Sequence, residues 1–173
     1  METESCFSLF GITDADAILI TGAVASLIAL LTIFSHRAIV ARQTTLEFIR
    51  RSEADRDMID ARAKFNEISR SKEGTGKWAS KPLSSEFKAI KTVINEYELV
   101  AIGIQRGILD DVTYRRWFRS GVIRTWNHAA PFVLARRVQT NNQALWHEFD
   151  EMARWYRGGS PMPRRRFFWR KFI

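Results

Sequence analysis

The sequence of 173 residues contains one cysteine, three histidines and four prolines. Because Cys6 is the single cysteine, an intramolecular disulfide framework and a zinc site built on paired cysteines are both excluded. Cys6 could still form an intermolecular disulfide. The histidines are widely separated, and only His147 has a carboxylate, Glu151, on the same helix face. We therefore expect no metal site and no cofactor.

Lysine and arginine are absent from the first 36 residues, and residues 17–35 carry no charge of either sign. A helix over residues 17–35 covers roughly 28 Å, close to the ~30 Å hydrocarbon core of a bilayer. The composition predicts a transmembrane helix, with a buried helix of a soluble protein as the alternative. A cleaved signal peptide fits less well, because the start of the chain is acidic where a basic region is required.

The distribution of charge around residues 17–35 predicts an orientation. All 27 Lys and Arg residues follow this segment, and four of them are Arg37, Arg42, Arg50 and Arg51. Positive charge close to a span keeps that side in the cytoplasm. We therefore expect residues 1–16 outside, a single span, and a cytoplasmic body at a bacterial inner membrane.

The first part of the body lacks helix breakers. Residues 36–70 contain no proline or glycine and many charges, which predicts a long, largely solvated helix continuing from the span as a stalk. Residues 71–83 are rich in Gly, Ser and Lys and predict a linker. Trp78 within them would either pack on the following domain or lie at the lipid interface.

Residues 84–157 show helical periodicity and no alternating β pattern, so the predicted fold class is all-α with a small helical bundle. We expect a first helix from Ser84 or Ser85 to Gly107, then a helix capped by Asp110. Asn127 and Pro131 are expected to interrupt the chain before a short helix through Val138. The last helix should open at Asn141 or Asn142 and end at Gly158-Gly159. The apolar positions expected to face the core are Phe87, Ile90, Val93 or Ile94, Tyr97, Val100 or Ala101, Ile104, Val112, Trp117, Phe118, Val122, Trp126, Leu145, Trp146, Phe149, Met152, Ala153 and Tyr156.

Several of these residues also carry a resemblance. The most recognisable positions are Gly103, the run Gly107-Ile108-Leu109-Asp110, Trp126 and Pro131-Phe132. The resemblance covers most of residues 15–157. In these motifs, and in the order of span, charged helix and helical module, the chain resembles the membrane-anchored domain-of-unknown-function family 4760. The resemblance implies a fold and a membrane location. It implies no activity and no catalytic residues.

No pattern typical of an active site stands out. Asp110 and Asp111 suit a helix cap and a helix-start acid, and Gly74–Lys77 lacks the preceding strand and following Ser or Thr of a phosphate-binding loop. We expect no catalytic residues and a non-enzymatic interaction module. The alternatives are a membrane-tethered effector or accessory enzyme, in stress or phage defence, and a nucleic-acid-binding membrane protein.

The C-terminal residues 158–173 combine a Gly/Pro-rich breaker with a basic, aromatic tail. Basic residues attract anionic headgroups and aromatic rings enter the interface, so the tail is predicted to bind an anionic membrane surface. Docking to a protein partner or a second copy of the chain is the next alternative, and nucleic acid is the least favoured. The residues predicted to make this contact are Arg164, Arg165, Arg166, Phe167, Phe168, Trp169, Arg170, Lys171 and Phe172.

Overall fold

The computed structural model describes residues 14–163, which form five α-helices and one 3-10 helix. The α-helices are α1 (Asp14–Ala54), α2 (Arg56–Arg70), α3 (Ser85–Gln105), α4 (Asp111–Gln139) and α5 (His147–Arg157), and the 3-10 helix is Gly76–Ser80. No strand occurs within residues 14–163, and the predicted all-α fold is confirmed. The chain divides into two compact units, Met1–Val40 and Ala41–Ile173.

The described part of the first unit is the apolar portion of α1. This helix contains an 18-residue window of mean hydropathy 2.5, none of which is buried. Thr21, Ser26 and Thr32 each donate their hydroxyl to the carbonyl four residues earlier, at 2.8 Å, so these groups are paired within the helix. The window is exposed in this chain, whereas a core helix of a soluble protein would be mostly buried. The helix is long and apolar enough to cross a membrane.

The chain differs from the expected single charged helix over residues 36–70. α1 ends at Ala54 and α2 starts at Arg56, because Asp55 adopts an extended conformation and accepts hydrogen bonds from the N–H groups of Asp57 and Met58. An aspartate in this role is a typical N-cap. α2 is also not solvated on all sides, since it buries Ala61, Phe65 and Ile68 against the core.

Residues 71–83 contain more order than a linker requires. They include the 3-10 helix, in which Ala79 is fully buried, and Thr75 Oγ1 donates to the His128 carbonyl at 2.6 Å. Of the two positions predicted for Trp78, packing on the domain is confirmed, because the half-buried indole lies against the core.

The predicted ends of α3 and the start of α4 are confirmed. Ser84 caps α3 by accepting from the Phe87 N–H, and Gly107 follows the helix with a φ of +71°. Gly103 permits close packing, because a Cβ there would lie 2.9 Å from Leu109 Cδ1. Asp110 then caps α4 by accepting from the Thr113 N–H.

The expected interruption of α4 at Asn127 and Pro131 is wrong, since the helix continues through both residues to Gln139. An internal proline costs about 3 kcal/mol or more. Burial of Phe132 and Val133 next to Pro131 offsets this cost, because each such fully buried side chain contributes roughly 1.5–3 kcal/mol.

The last helix starts later than expected. Asn141 and Trp146 have positive φ values of 50° and 51°, and the Asn142 side chain accepts from the Ala144 N–H in a turn. These residues form the connection that precedes α5 at His147. The predicted end is confirmed, because Gly158 follows α5 and Gly159 has a φ of +77°.

Aromatic side chains from α3, α4 and α5 meet in the core of the second unit. The Phe149 ring stacks on Tyr97 at 4.8 Å between centroids and contacts the Trp126 ring edge-on at 5.1 Å. Elsewhere in this core, the ring centroids of Phe87 and Phe132 are 5.2 Å apart. Val112 and Trp117 do not face this core as expected, because they are 61% and 70% exposed. The core holds α3 in place between α2 and α5, and α3 forms one wall of the site described next.

Candidate interaction site

An open cleft lies between the C-terminal part of α1, the start of α2 and the middle of α3. We call it the α1–α3 cleft, and its volume is about 350 Å³. One wall is a single face of the end of α1, with Phe48, Ser52 and Asp55 at helical spacing. The opposite wall is a single face of α3, with Thr92, Glu96 and Leu99. The lining residues are Phe48, Arg51, Ser52, Asp55, Met58, Thr92, Asn95, Glu96 and Leu99.

Three apolar side chains give the cleft its binding surface. Leu99 is 65% exposed, and Phe48 and Met58 are half-buried beside it. The exposure of Leu99 is unusual on α3, whose other large aliphatic side chains are mostly buried. Contact with an apolar group would remove this surface from water, which favours binding in proportion to the area covered.

Two residues that line the cleft, Ser52 and Glu96, belong to a network of charged and polar groups with Arg62, which we call the floor of the cleft. Arg62 Nη2 donates to both oxygens of Glu96, at 2.9 and 3.1 Å, and to Ser52 Oγ at 2.7 Å. Ser52 donates in turn to Glu96. Arg62 Nη1 donates to Glu53 Oε1 at 2.8 Å. Glu96 is only 8% exposed, so this pairing compensates the cost of burying its charge.

The surrounding carboxylates keep Arg62 charged. Burial lowers the pKa of Arg62, but the charges of Glu96 and Glu53 and their hydrogen bonds outweigh it, so that the net pKa is raised. Asn95 is also engaged, because its Oδ1 accepts from the Trp146 indole at 2.8 Å. The floor therefore has paired polar groups under an apolar opening, an arrangement suited to contact with another molecule.

A second carboxylate joins α3 to α5. Glu98 Oε2 accepts from the Phe149 N–H at 2.7 Å, and Glu98 Oε1 accepts from the Glu148 N–H at 3.4 Å. Burial raises the pKa of Glu98, although these two hydrogen bonds oppose the shift. The N-cap residue Trp146 offers no side-chain acceptor to the start of α5. Glu98 supplies the acceptors for these N–H groups instead.

The two aspartates at the start of α4 have different surroundings. Asp110 caps the helix as predicted, and its own N–H donates to Thr45 Oγ1 at 2.7 Å. Asp111 is 6% exposed and accepts from the Tyr156 hydroxyl at 2.8 Å. Burial, and then the charge of Asp111, raise the pKa of Tyr156. Both aspartates therefore make structural contacts.

The histidines are not brought together. His128 is exposed in the middle of α4 rather than near a helix end, and His36 lies on α1. His147 Nε2 lies 3.5 Å from Glu151 Oε1, as their spacing predicts. Within residues 14–163, no group of three or more His, Cys, Asp or Glu side chains could hold a metal ion.

The residues of the predicted tail contact, 164–172, lie outside the described residues, and their role stays a prediction. The residues that precede them in sequence are held against the second unit. Arg115 Nη1 donates to the Gly159 carbonyl at 3.0 Å, and Met162 is buried against the core.

Sequence reasoning missed the α1–α3 cleft. Leu99 gave one usable signal, since it is a large apolar residue outside the apolar face predicted for α3. The positions of Met58 and Arg62 beside α3 could not be predicted, because they depend on the break between α1 and α2 at Asp55.

Comparison with known proteins gives a family and no activity. A family model described as Domain of unknown function (DUF4760) matches residues 19–156. No curated protein and no solved structure matches the chain.

Proposed function

This chain belongs to the DUF4760 family, and from that premise we propose that it is a single-pass protein of a bacterial inner membrane with a cytoplasmic interaction module. In this proposal the N-terminus lies outside, and the module binds an apolar helical segment of a partner protein in the α1–α3 cleft. The module acts by binding and not by catalysis.

The membrane anchor is supported by the exposed apolar part of α1. No residue of its most apolar 18-residue window is buried, so an aqueous environment would leave that surface in water. Its hydroxyls are already paired with backbone carbonyls, which lowers the cost of placing them in lipid. The arginines that follow it support the cytoplasmic placement of the module.

The observation that carries the interaction role is the combination, in the α1–α3 cleft, of an apolar opening with the hydrogen-bonded groups of Arg62, Glu96 and Ser52. Exposed Leu99 beside Phe48 and Met58 offers a surface for side chains spaced three and four residues apart on a helix. Asp55 and Arg51 at its edge offer both signs of charge for orientation of the bound segment.

The tail complements this role. We expect Arg164–Arg166 and the aromatic residues that follow to bind anionic lipid or the same partner, and so to hold the module close to the membrane surface. An anchor and a second membrane contact on one chain reinforce each other through effective concentration.

Site-specific photo-crosslinking tests the α1–α3 cleft. A benzoylphenylalanine placed at Leu99 in the full-length protein is expected to form one discrete protein adduct in native membranes. The same residue at Leu83, an exposed leucine away from the cleft, is the matched control and should form none. Mass spectrometry of the adduct identifies the partner segment.

A charge placed in the cleft separates specific binding from chance contact. Met58→Asp should reduce the Leu99 adduct at least about tenfold, because a carboxylate would be desolvated against the apolar segment. Circular dichroism of the variant checks that the helices persist. Equal adducts from Leu99 and Leu83, or an adduct unaffected by Met58→Asp, would contradict the proposed site.

A further inference from the structure

The outward face of α4 carries positive and apolar side chains and no carboxylate. Among the 29 residues of α4 there are six arginines and a single acid, Asp111, which is buried at the first position. Helical spacing places Arg116, Ser120 and Arg124 on the exposed side of this helix. We call this exposed side the α4 outer face.

Its arginines differ from Arg115 and Arg119 on the same helix. Arg115 and Arg119 donate to carbonyls of Gly159 and Tyr156, at 3.0 and 2.8 Å, and thus hold the chain after α5. Within the described part of the chain, Arg116 and Arg124 form no hydrogen bond or ion pair. Their charge is available to an external anion.

Large apolar side chains share the outer face with these arginines. Trp117 is 70% exposed, and Leu134 and Val138, one helical turn apart, are 57% and 75% exposed. The 3-10 helix lies beside this end of α4, since the Pro131 Cβ would be 3.3 Å from a Cβ on Gly76. There the Nζ atoms of Lys77 and Lys81 lie over the Trp78 ring, 4.4 and 5.1 Å from its centroid.

We propose that the α4 outer face docks on a bilayer containing anionic lipid, with Arg116 and Arg124 at the headgroups and Trp117, Leu134 and Val138 at the acyl boundary. This inference rests on the proposed membrane location. A helix with arginine and tryptophan and exposed aliphatic residues on one face is typical of interfacial helices. Nucleic acid would use the arginines but would leave Leu134 and Val138 in water, because it binds through phosphates and aromatic stacking.

The test places a fluorescent label on the outer face of the full-length protein. Cys6→Ser removes the native thiol, Ser120→Cys receives an environment-sensitive NBD label, and the protein is reconstituted in nanodiscs. Asn66→Cys, at an exposed site of α2, is the matched control. In phosphatidylcholine mixed with phosphatidylglycerol, the Ser120 label should shift to the blue and be quenched by spin-labelled lipid. The Asn66 label should remain in water.

Charge reversal on the outer face identifies the cause. Arg116→Glu with Arg124→Glu should lower the docked fraction of the Ser120 label at least about tenfold in the anionic nanodiscs, because each basic residue near the surface contributes about a factor of five. The tail stays intact in this variant. Reversing Arg164–Arg166 instead should leave most of the Ser120 signal in place.

The outcomes distinguish this inference from the proposed function. A Ser120 label that remains in water in anionic nanodiscs would overturn the inference while leaving the anchor untouched. A label equally buried in pure phosphatidylcholine, with no effect of charge reversal, would also overturn it and would indicate a protein contact. A chain that does not enter nanodiscs at all would refute the membrane location proposed above.

Discussion

Neighbouring residues in this chain have separate roles because their surroundings differ. Asp110 and Asp111 are adjacent, yet one caps α4 and the other receives the buried hydroxyl of Tyr156. Helix caps such as Ser84 and Asp110 could be predicted from sequence, because a cap depends on residues within one turn. The pairing of Glu98 with the start of α5 could not, because some 50 residues separate the partners.

Glu98 gives a prediction about pH. Burial raises its folded-state pKa above the ordinary value of 4.5, so the folded protein keeps this proton at pH values where the unfolded chain has lost it. Stability from this group is present below that value and is lost as the pH rises through the raised pKa. In Glu98→Gln the side chain is always neutral and can still accept from the Phe149 N–H.

We therefore expect Glu98→Gln to gain stability relative to the wild type between about pH 4 and about pH 7. Urea denaturation in detergent at both pH values measures the difference in midpoint. Glu67→Gln, on the exposed side of α2, is the charge-matched control. A midpoint difference that is constant with pH, or that grows in favour of the wild type, would contradict the assignment.

At the scale of helices, local patterns fixed the type of each element better than its limits. The periodicity of residues 84–105 predicted α3 correctly, because its buried and exposed sides differ along its whole length. The continuity of α4 through Pro131 could not be predicted, because it depends on packing of Phe132 and Val133 in the core. The break at Asp55 was hidden in a run of charged residues that suited a solvated helix equally well.

The contact of α2 with α3 depends on the pair Arg62 and Glu96. Arg62→Met should lower the free energy of unfolding by about 2–4 kcal/mol, because it leaves a nearly buried carboxylate without its cation. Replacing Glu96 by Met as well should recover most of this loss, since an apolar pair of similar volume avoids the cost of desolvation. Urea denaturation of both variants in detergent measures the two effects.

If the double variant were as unstable as Arg62→Met alone, the pair would not be the reason for the loss. The Leu99 crosslink provides a second readout, because a disturbed floor should weaken binding in the α1–α3 cleft even where the protein remains folded.

At the scale of the molecule, the proposed orientation predicts which thiols can be reached from outside. In intact spheroplasts, a membrane-impermeant maleimide should modify the native Cys6, which precedes the apolar part of α1. In a Cys6→Ser, Asn66→Cys variant, modification should require permeabilised membranes. The opposite pattern would reverse the orientation, and equal labelling of both would argue against an anchor.

The sequence predicted a helical module over residues 84–157, but the α1–α3 cleft required the structure. The apolar helix and the basic tail are each contiguous in sequence, so charge and hydropathy along the chain are enough to find them. The cleft depends on how α1, α2 and α3 are placed in space, and three of its determinants, Phe48, Met58 and Leu99, are far apart in sequence or on different helices.

Thr45 has a consequence for hydrogen exchange. It is fully buried, donates to the Ala41 carbonyl, and accepts the amide of Asp110 in the connection between α3 and α4. The amide proton of Asp110 should therefore exchange slowly with solvent deuterium, although it lies just before a helix. Its exchange rate will follow each departure of the C-terminal segment of α1 from the module, so one backbone proton reports how often the α1–α3 cleft loses its first wall.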